Sequence, residues 1–77
     1  MRLLQVLGTG CGKCARLKAL ADAAVSQLGI EARVEKIEDI NAIAGFGVIM
    51  IPALAIDGEI KAAGRVPSVE EIKGMLA

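Results

Sequence analysis

The first part of the chain contains a short apolar run and then a longer segment in which apolar residues recur with the period of a helix. Residues 1–7 are almost all apolar and end at Gly8, which is typical of a central strand covered on both faces. Residues 13–28 carry apolar side chains three and four positions apart, which predicts one buried face of an amphipathic helix. Gly29 follows, where a left-handed residue would end that helix. The predicted inner face of the helix consists of Cys14, Leu17, Leu20, Ala21, Ala24, Val25 and Leu28.

The middle of the chain shows a strand followed by a short helix. Residues 30–37 alternate between apolar and charged side chains, which predicts a strand with one wetter face near a sheet edge. Because a helix separates this strand from the first, we expect the two strands to be parallel and joined by a right-handed crossover. Glu38 and Asp39 place negative charge at the start of a short helix over residues 40–45, and Gly47 ends it.

The last third of the chain predicts a hairpin and a capped helix. Residues 53–56 and 59–63 have the composition of strands, and Asp57-Gly58 between them is a two-residue hairpin signal. Gly64 ends the second of these strands. Pro67-Ser68 then opens the final helix, with Ser68 as N-cap and Glu71 completing a capping box. The inward side chains of this helix are expected to be Ile72, Met75 and Leu76.

Composition narrows the class of protein. Its 77 residues, 55% of them apolar, are expected to form a single α/β domain over residues 1–77. Nine basic and nine acidic residues are mixed along the chain, so nucleic acid is not expected as a partner. The longest uncharged stretch, residues 40–56, is shorter than the roughly 18 residues of a membrane span, and the short run before Gly8 is not expected to be a secretory signal. We therefore expect a cytoplasmic monomer without membrane partners, in a compartment where thiol pairs are more often catalytic or metal-binding than structural.

Both cysteines lie in the loop Gly8-Thr9-Gly10-Cys11-Gly12-Lys13-Cys14, between the first strand and the first helix. A thiolate is the attacking species in thiol–disulfide exchange, and the unpaired N–H groups at a helix start favour the thiolate. Cys11 is expected at that boundary and is the candidate attacking thiol, with the positive charge of Lys13 nearby. Cys14, one turn further on and on the apolar face, is the candidate resolving thiol.

Two other roles for the cysteine pair stay open at this point. A structural disulfide across so small a loop would contribute only about 2 kcal/mol, against roughly 3 kcal/mol for a fifteen-residue loop. Zinc would need four ligands, and the chain has two cysteines and no histidine. Two thiolates do suit copper(I), and copper chaperones carry a C-x-x-C loop after their first strand. Their element order, β-α-β-β-α-β, differs from the order predicted here, and they have Met where this chain has Thr9.

The cysteine loop, Ile51-Pro52 ahead of a hairpin, and the last helix opened at Ser68 together resemble the thioredoxin fold. The chain is most similar to the small redox-active disulfide proteins of archaea and bacteria, and Gly64-Arg65-Val66-Pro67-Ser68 extends the likeness. The resemblance implies a minimal thioredoxin fold, in the order β-α-β-α-β-β-α, with a four-stranded mixed sheet and three helices. It also implies a thiol–disulfide oxidoreductase without cofactor or metal, whose partners are protein disulfides and an unidentified reductase.

The resemblance implies a site as well. Cys11 and Cys14 match the redox pair, and Pro52 matches the family's cis-proline, which lies opposite the cysteines. The backbone of Ile51, the residue before it, would pair with an extended substrate. The full set of residues expected to contact substrate is Gly10, Gly12, Lys13, Ile51 and Pro52. The tyrosine and the glycine pair with a following Asp that are common in glutaredoxins are missing, which favours protein disulfides over glutathione.

Three further side chains have two interpretations each. Arg65 would either hold a glutathione carboxylate or be a solvated residue in a turn. Phe46, the one aromatic residue of the chain, would either stack on a partner or belong to the core. Met50, next to Ile51, would either line the substrate groove or fill the interior.

Overall fold

The computed structural model of the chain describes residues 1–9, 12–48 and 50–76 and has the element order β-α-β-α-β-β-α. Its strands are Arg2–Leu7 (β1), Ala32–Ile37 (β2), Ala53–Ile56 (β3) and Glu59–Ala63 (β4). Its helices are Gly12–Leu28 (α1), Ile40–Gly45 (α2) and Val69–Leu76 (α3). The predicted α/β class, with a four-stranded mixed sheet and three helices in a minimal thioredoxin fold, is confirmed over these described residues.

The sheet has the strand order β2-β1-β3-β4. β1 and β2 are parallel, from Arg2 opposite Ala32 to Leu7 opposite Ile37, as predicted from the helix that separates them. β3 runs antiparallel to β1, and β4 runs antiparallel to β3 with an irregularity in register between Leu54 and Ala55. β2 is an edge strand, as predicted.

The two faces of the sheet carry cores of unequal size. On one face, α1 and α3 pack against alternate residues of the central strands, such as Leu4 and Leu54. On the other face, the short helix α2 places Ile43 against Leu7 and Ala53. The buried residues of the larger core are Leu4, Val6, Leu17, Ala21, Ala24, Leu54, Ile56, Ala62, Ile72 and Leu76.

Local hydrogen bonds mark the end of α1 and the starts of α2 and α3, close to where the sequence predicts them. The N–H of Gly29 donates to the carbonyl of Val25 at 3.0 Å and ends α1. The Ser68 Oγ accepts from the N–H of Glu71, and the Glu71 carboxylate accepts from the N–H of Ser68, both at 3.2 Å, so the capping box of α3 is formed. The carboxylate of Asp39 caps α2 by accepting from the N–H of Asn41 at 3.2 Å.

Two predicted boundaries and one predicted orientation differ from the structure. β2 begins at Ala32 rather than at residue 30, because its partner β1 begins at Arg2, the residue opposite Ala32, and offers no strand to pair with earlier residues. α1 begins at Gly12, one residue before the predicted start. Leu28, predicted to face inward, is 36% exposed because it is the last residue of α1, and Val25 one turn earlier is only partly covered.

Candidate functional site

The candidate site lies where β1 ends and α1 begins. Cys14 is in the first turn of α1, on the face that packs against the sheet, and its side chain is fully buried. Its sulfur lies directly against Gly8, the residue that follows β1, so that a Cβ placed on Gly8 would overlap the Cys14 Sγ. Glycine at position 8 is therefore what allows the thiol to approach the end of the strand.

Ile51 and Pro52 form the other wall of this site. The peptide bond between them is cis, which is the geometry that the resemblance implies. Pro52 is buried, and Ile51 is 43% exposed. A Cβ on Gly8 would stand 3.9 Å from the Ile51 Cβ, so Gly8 lies close to both the thiol of Cys14 and the side chain of Ile51.

The sheet topology explains why these distant parts of the chain meet. β1 and β3 are antiparallel neighbours with Leu7 opposite Ala53, so the residue after β1 and the residue before β3 lie at the same end of the sheet. Two backbone hydrogen bonds fix that end. The Gly8 N–H donates to the carbonyl of Ile37 at 3.0 Å, and the Gly64 N–H donates to the carbonyl of Pro52 at 2.9 Å.

Met50 extends the site toward β4. Gly64, just after that strand, has φ +75°, and a Cβ added there would meet the Met50 side chain at 2.7 Å from its Cε. The Met50 side chain thus lies over the backbone of Gly64, and it is 57% exposed. Of the two interpretations of Met50, exposure beside Ile51 supports the one in which it lines a groove.

Phe46 and Arg65 are engaged within the fold. Phe46 packs, partly buried, against the small core around Ile43, which supports the core interpretation. The Arg65 Nη1 pairs with the Glu71 Oε2 at 2.8 Å while about half of each side chain remains exposed. The guanidinium is therefore directed to the start of α3. Hydrogen bonds from the Ser68 N–H and the Arg65 side chain hold the pKa of the Glu71 carboxyl below its ordinary value of 4.5.

The predicted site residues fall into three groups. Cys14, Ile51 and Pro52 are brought together at one end of the sheet. Gly12 and Lys13 are exposed at the start of α1. The remaining two, Gly10 and Cys11, lie outside the described residues. The predicted attacking thiol and its low pKa therefore stay predictions.

The sequence pattern did not indicate the roles of Gly8 and Gly64. The sequence predicts that Gly8 ends the first strand and that Gly64 ends β4, and both belong to stretches that carry the family resemblance, but no packing contact is predicted for either. In the structure both have backbones against which a sulfur-containing side chain packs. A glycine directly after a buried strand, with a cysteine early in the next helix, was the available signal for the first contact.

A family model described as a thioredoxin domain matches residues 2–77. The chain belongs to the thioredoxin family. The thioredoxin of Methanothermobacter thermautotrophicus is 47% identical to it over 77 residues, which is 100% of both chains. The thioredoxin of Methanocaldococcus jannaschii is 42% identical over 73 residues, or 95% of this chain and 84% of that one.

Membership of the thioredoxin family supports a thiol–disulfide oxidoreductase role in general, with protein disulfides and a reductase as the general kind of partner. It lends the copper alternative no support. The order of the elements also differs from that of copper chaperones, because α2 separates β2 from β3 and the last described element is α3. Across the described parts of the chain, no helix is long and apolar enough to cross a membrane.

Proposed function

We propose that the protein is a thiol–disulfide oxidoreductase that exchanges a Cys11–Cys14 dithiol or disulfide with disulfides of protein partners. The observation that carries the proposal is the position of Cys14, whose thiol is fully buried against Gly8 beside the cis Ile51–Pro52 bond. Its membership of the thioredoxin family supports the class of reaction.

The burial of Cys14 supports a division of roles between the two thiols. A sulfur with no exposed surface cannot reach a disulfide on a folded partner, so the first attack is assigned to Cys11. The second step happens within the protein, where a sulfur one helical turn away needs no access to solvent. A buried position therefore suits the resolving thiol.

The proposed reaction has two exchange steps. The Cys11 thiolate attacks one sulfur of the partner disulfide, and the other partner sulfur leaves as a thiolate that takes a proton from water. The Cys14 thiolate then attacks the Cys11 sulfur in this mixed disulfide and releases the second partner thiolate. The partner gains two electrons and the pair becomes a Cys11–Cys14 disulfide. A reductase that supplies two electrons restores the dithiol.

The surroundings of Ile51 support an extended polypeptide as substrate. Ile51 is partly exposed directly before a buried proline, which supports the proposal that its backbone pairs with a strand-like segment of the partner. Gly12 and Lys13 are exposed at the start of α1 and are proposed to contact the same segment, together with Gly10. Arg65, the candidate for holding a glutathione carboxylate, is paired with Glu71, which favours protein disulfides.

Trapping of the intermediate tests these roles. With insulin as the disulfide substrate and dithiothreitol as reductant, Cys14→Ser is expected to lose turnover. When the reduced variant is freed of dithiothreitol, which would cleave the adduct, and is then mixed with insulin, it is expected to accumulate a mixed disulfide through Cys11. Cys11→Ser is expected to lose turnover without accumulating one. Non-reducing electrophoresis and mass spectrometry of the intact adduct distinguish the two. Ala15→Ser, at an exposed position of the same helix, is the matched control and should keep the activity of the wild type.

Two results would contradict the proposal. Trapping by Cys11→Ser instead of Cys14→Ser would reverse the roles of the thiols. A wild-type protein that reduces no disulfide but binds one copper(I) ion tightly would favour the metallochaperone class.

A further inference from the structure

Two residues that are adjacent in sequence, Met50 and Ile51, expose large apolar side chains, and Ile51 lies close to the buried thiol. In the described part of the chain, the large hydrophobic residues with substantial exposure are Met1, Leu28, Ile40, Met50 and Ile51. Met50 and Ile51 are adjacent in sequence, and Ile51 borders Gly8 and Cys14. Large apolar side chains exposed beside a candidate site are typical of a surface that contacts another molecule.

The Met50 side chain packs on the backbone of Gly64. A Cβ on Gly64 would meet the Cε, Cβ and Sδ of Met50 at 2.7, 3.1 and 3.4 Å. The Gly64 N–H donates a hydrogen bond to the carbonyl of Pro52. The backbone on which Met50 packs is therefore tied directly to the cis-proline. Met50 therefore lies along the surface from Ile51 toward Gly64. We call Ile51, Met50 and Gly64 together the Met50 ridge.

The ridge is free of charge in its own segment. Residues 40–56 contain no Asp, Glu, Lys or Arg. Arg65, which follows Gly64, is held by the Glu71 carboxylate at 2.8 Å near the start of α3. A charged side chain brought onto the ridge would lose hydration without a bonded counter-charge, whereas an apolar side chain would be covered favourably. An unbranched, polarisable thioether adapts to apolar groups of different shapes.

We infer that Met50 is a specificity-determining residue that selects disulfide partners with an apolar side chain beside the reacting half-cystine. The inference rests on the proposed function, since it needs a partner segment paired along Ile51. Successive residues of such a segment advance by about 3.3 Å, so a neighbour of the half-cystine reaches the adjacent Met50. The missing Cβ of Gly64 keeps Met50 in the position where this contact forms.

The test compares two disulfide-bonded peptides that differ only in the residue beside the reacting half-cystine, Leu in one and Glu in the other. Wild-type protein is expected to reduce the Leu peptide with about tenfold higher kcat/KM. Met50→Ala should bring the ratio to within about threefold, and Met50→Lys should favour the Glu peptide. Because each variant is scored by a ratio, a general loss of activity cancels.

Leu28→Ala and Leu28→Lys are the matched controls. Leu28 is also a partly exposed apolar residue, but it lies 14 positions after Cys14 on the same helix, or about 21 Å along its axis. These variants should keep the ratio of the wild type. An equal shift in the Leu28 variants would show that general surface charge sets the preference, which would overturn the inference.

A double-mutant cycle tests whether the contact with Gly64 holds the Met50 side chain in position. Gly64→Ala should displace Met50 and lower the peptide ratio, whereas in a Met50→Ala background it should leave the ratio as it is. Its melting temperature is measured in parallel, because alanine at φ +75° is strained. Equal effects of Gly64→Ala in both backgrounds would show that the contact does not position Met50.

The outcomes separate the inference from the function on which it rests. Reduction of both peptides at equal rates by the wild type, or an unchanged ratio in Met50→Lys, would overturn the specificity role and leave the oxidoreductase intact. Failure to reduce either peptide, and failure to reduce the small aromatic disulfide 5,5′-dithiobis(2-nitrobenzoate), would overturn the proposed function and the inference with it.

Discussion

The two ends of the β1–β3 pair are held by different kinds of interaction. At the end where β1 begins, Asp57 in the hairpin accepts a hydrogen bond from the Leu3 N–H at 2.9 Å, and its other carboxylate oxygen pairs with the Arg2 Nε at 2.5 Å. The same guanidinium donates from Nη1 to the Leu76 carbonyl at 3.0 Å, at the end of α3. Three parts of the chain thus meet through charged and polar groups.

Among the described residues, the opposite end is held by close packing of apolar and backbone groups and not by charged side chains. The Cys14 sulfur lies on the backbone of Gly8, Pro52 is buried beside them, and Met50 lies on Gly64. This end is held by close packing and by backbone hydrogen bonds such as the one from the Gly8 N–H. Met50 and Ile51 remain partly uncovered there, whereas the charged groups of the polar end bond to one another.

The two ends differ in how well they tolerate substitution and in how much apolar surface they leave exposed. Each exposed polar contact is modest in water, so the polar end fixes the hairpin and the chain termini without depending on any one bond. Close packing has no such tolerance, because a single added methylene forces neighbouring groups to move. The apolar end is therefore both the more sensitive to substitution and the one with surface left for a partner.

Gly8→Ala should have the largest effect, because its Cβ would fall on the Cys14 sulfur. We expect a loss of about 2–3 kcal/mol in the free energy of unfolding, or roughly 10–20 °C in melting temperature. Displacement of Cys14 should also lower insulin reduction. Calorimetry and the reductase assay measure both effects.

The control for Gly8→Ala is Gly74→Ala, inside α3, where among the described residues no atom beyond its chain neighbours and the backbone of its own helix lies within 4 Å of the added Cβ. This change should raise stability by about 0.5–1 kcal/mol. If Gly8→Ala were as stable as the wild type, the close contact between Gly8 and Cys14 would be wrong.

Asp57→Asn should have a smaller effect, at the polar end. Asn keeps the shape of the side chain and tolerates the left-handed backbone at φ 52°, but it removes the charge that pairs with Arg2. Melting temperature should fall by less than in Gly8→Ala, and reduction of insulin should stay at the wild-type rate. Asp22→Asn, whose partner Lys18 lies four residues away on α1, should have less effect still. A larger loss of activity than of stability in Asp57→Asn would show that the two ends are coupled.

The smallest predicted effect is the loss of stability when Asp57 and Glu71 are protonated. It is absent at neutral pH and grows as the pH falls. Hydrogen bonds from the Leu3 N–H and from Arg2 hold the pKa of the Asp57 carboxyl below its ordinary value of 3.8, and the pKa of Glu71 lies below 4.5. A lowered pKa means that the folded state binds fewer protons than the unfolded state, so stability rises with pH. The contribution is complete above about pH 5 and is lost as the pH falls through the lowered pKa values.

Melting temperatures between pH 7 and pH 2.5 measure this dependence. The double variant Asp57→Asn, Glu71→Gln should show a shallower fall in acid than the wild type. Parallel curves for the two proteins would mean that other carboxylates set the acid limit.

The sequence predicted most of the fold because its strongest signals are local. Asp57-Gly58 forms the predicted hairpin with φ of 52° and 83°, and Ser68 and Glu71 form the predicted capping box. The predicted start of β2 was wrong because a strand boundary depends on where the partner strand begins. A local sequence pattern carries no information about that position.

Less of the candidate site was predictable. The cysteine pair is visible in the sequence, but the cis bond before Pro52 came only from the resemblance to a family. The contact of Gly8 with Cys14 requires the packing of α1 on the sheet, and that of Met50 with Gly64 joins residues 14 positions apart. Such contacts follow from tertiary packing rather than from the periodicity that predicts helices and strands.

The bond from Arg2 to the Leu76 carbonyl has a practical consequence. It brings the beginning and the end of the described chain together, six residues of β1 and thus about 20 Å away from Gly8 and its neighbouring thiol. A carrier protein or a solid support attached near Arg2 or Leu76 would lie at the end of the sheet opposite Cys14 and would leave the exposed side chains of Met50 and Ile51 uncovered.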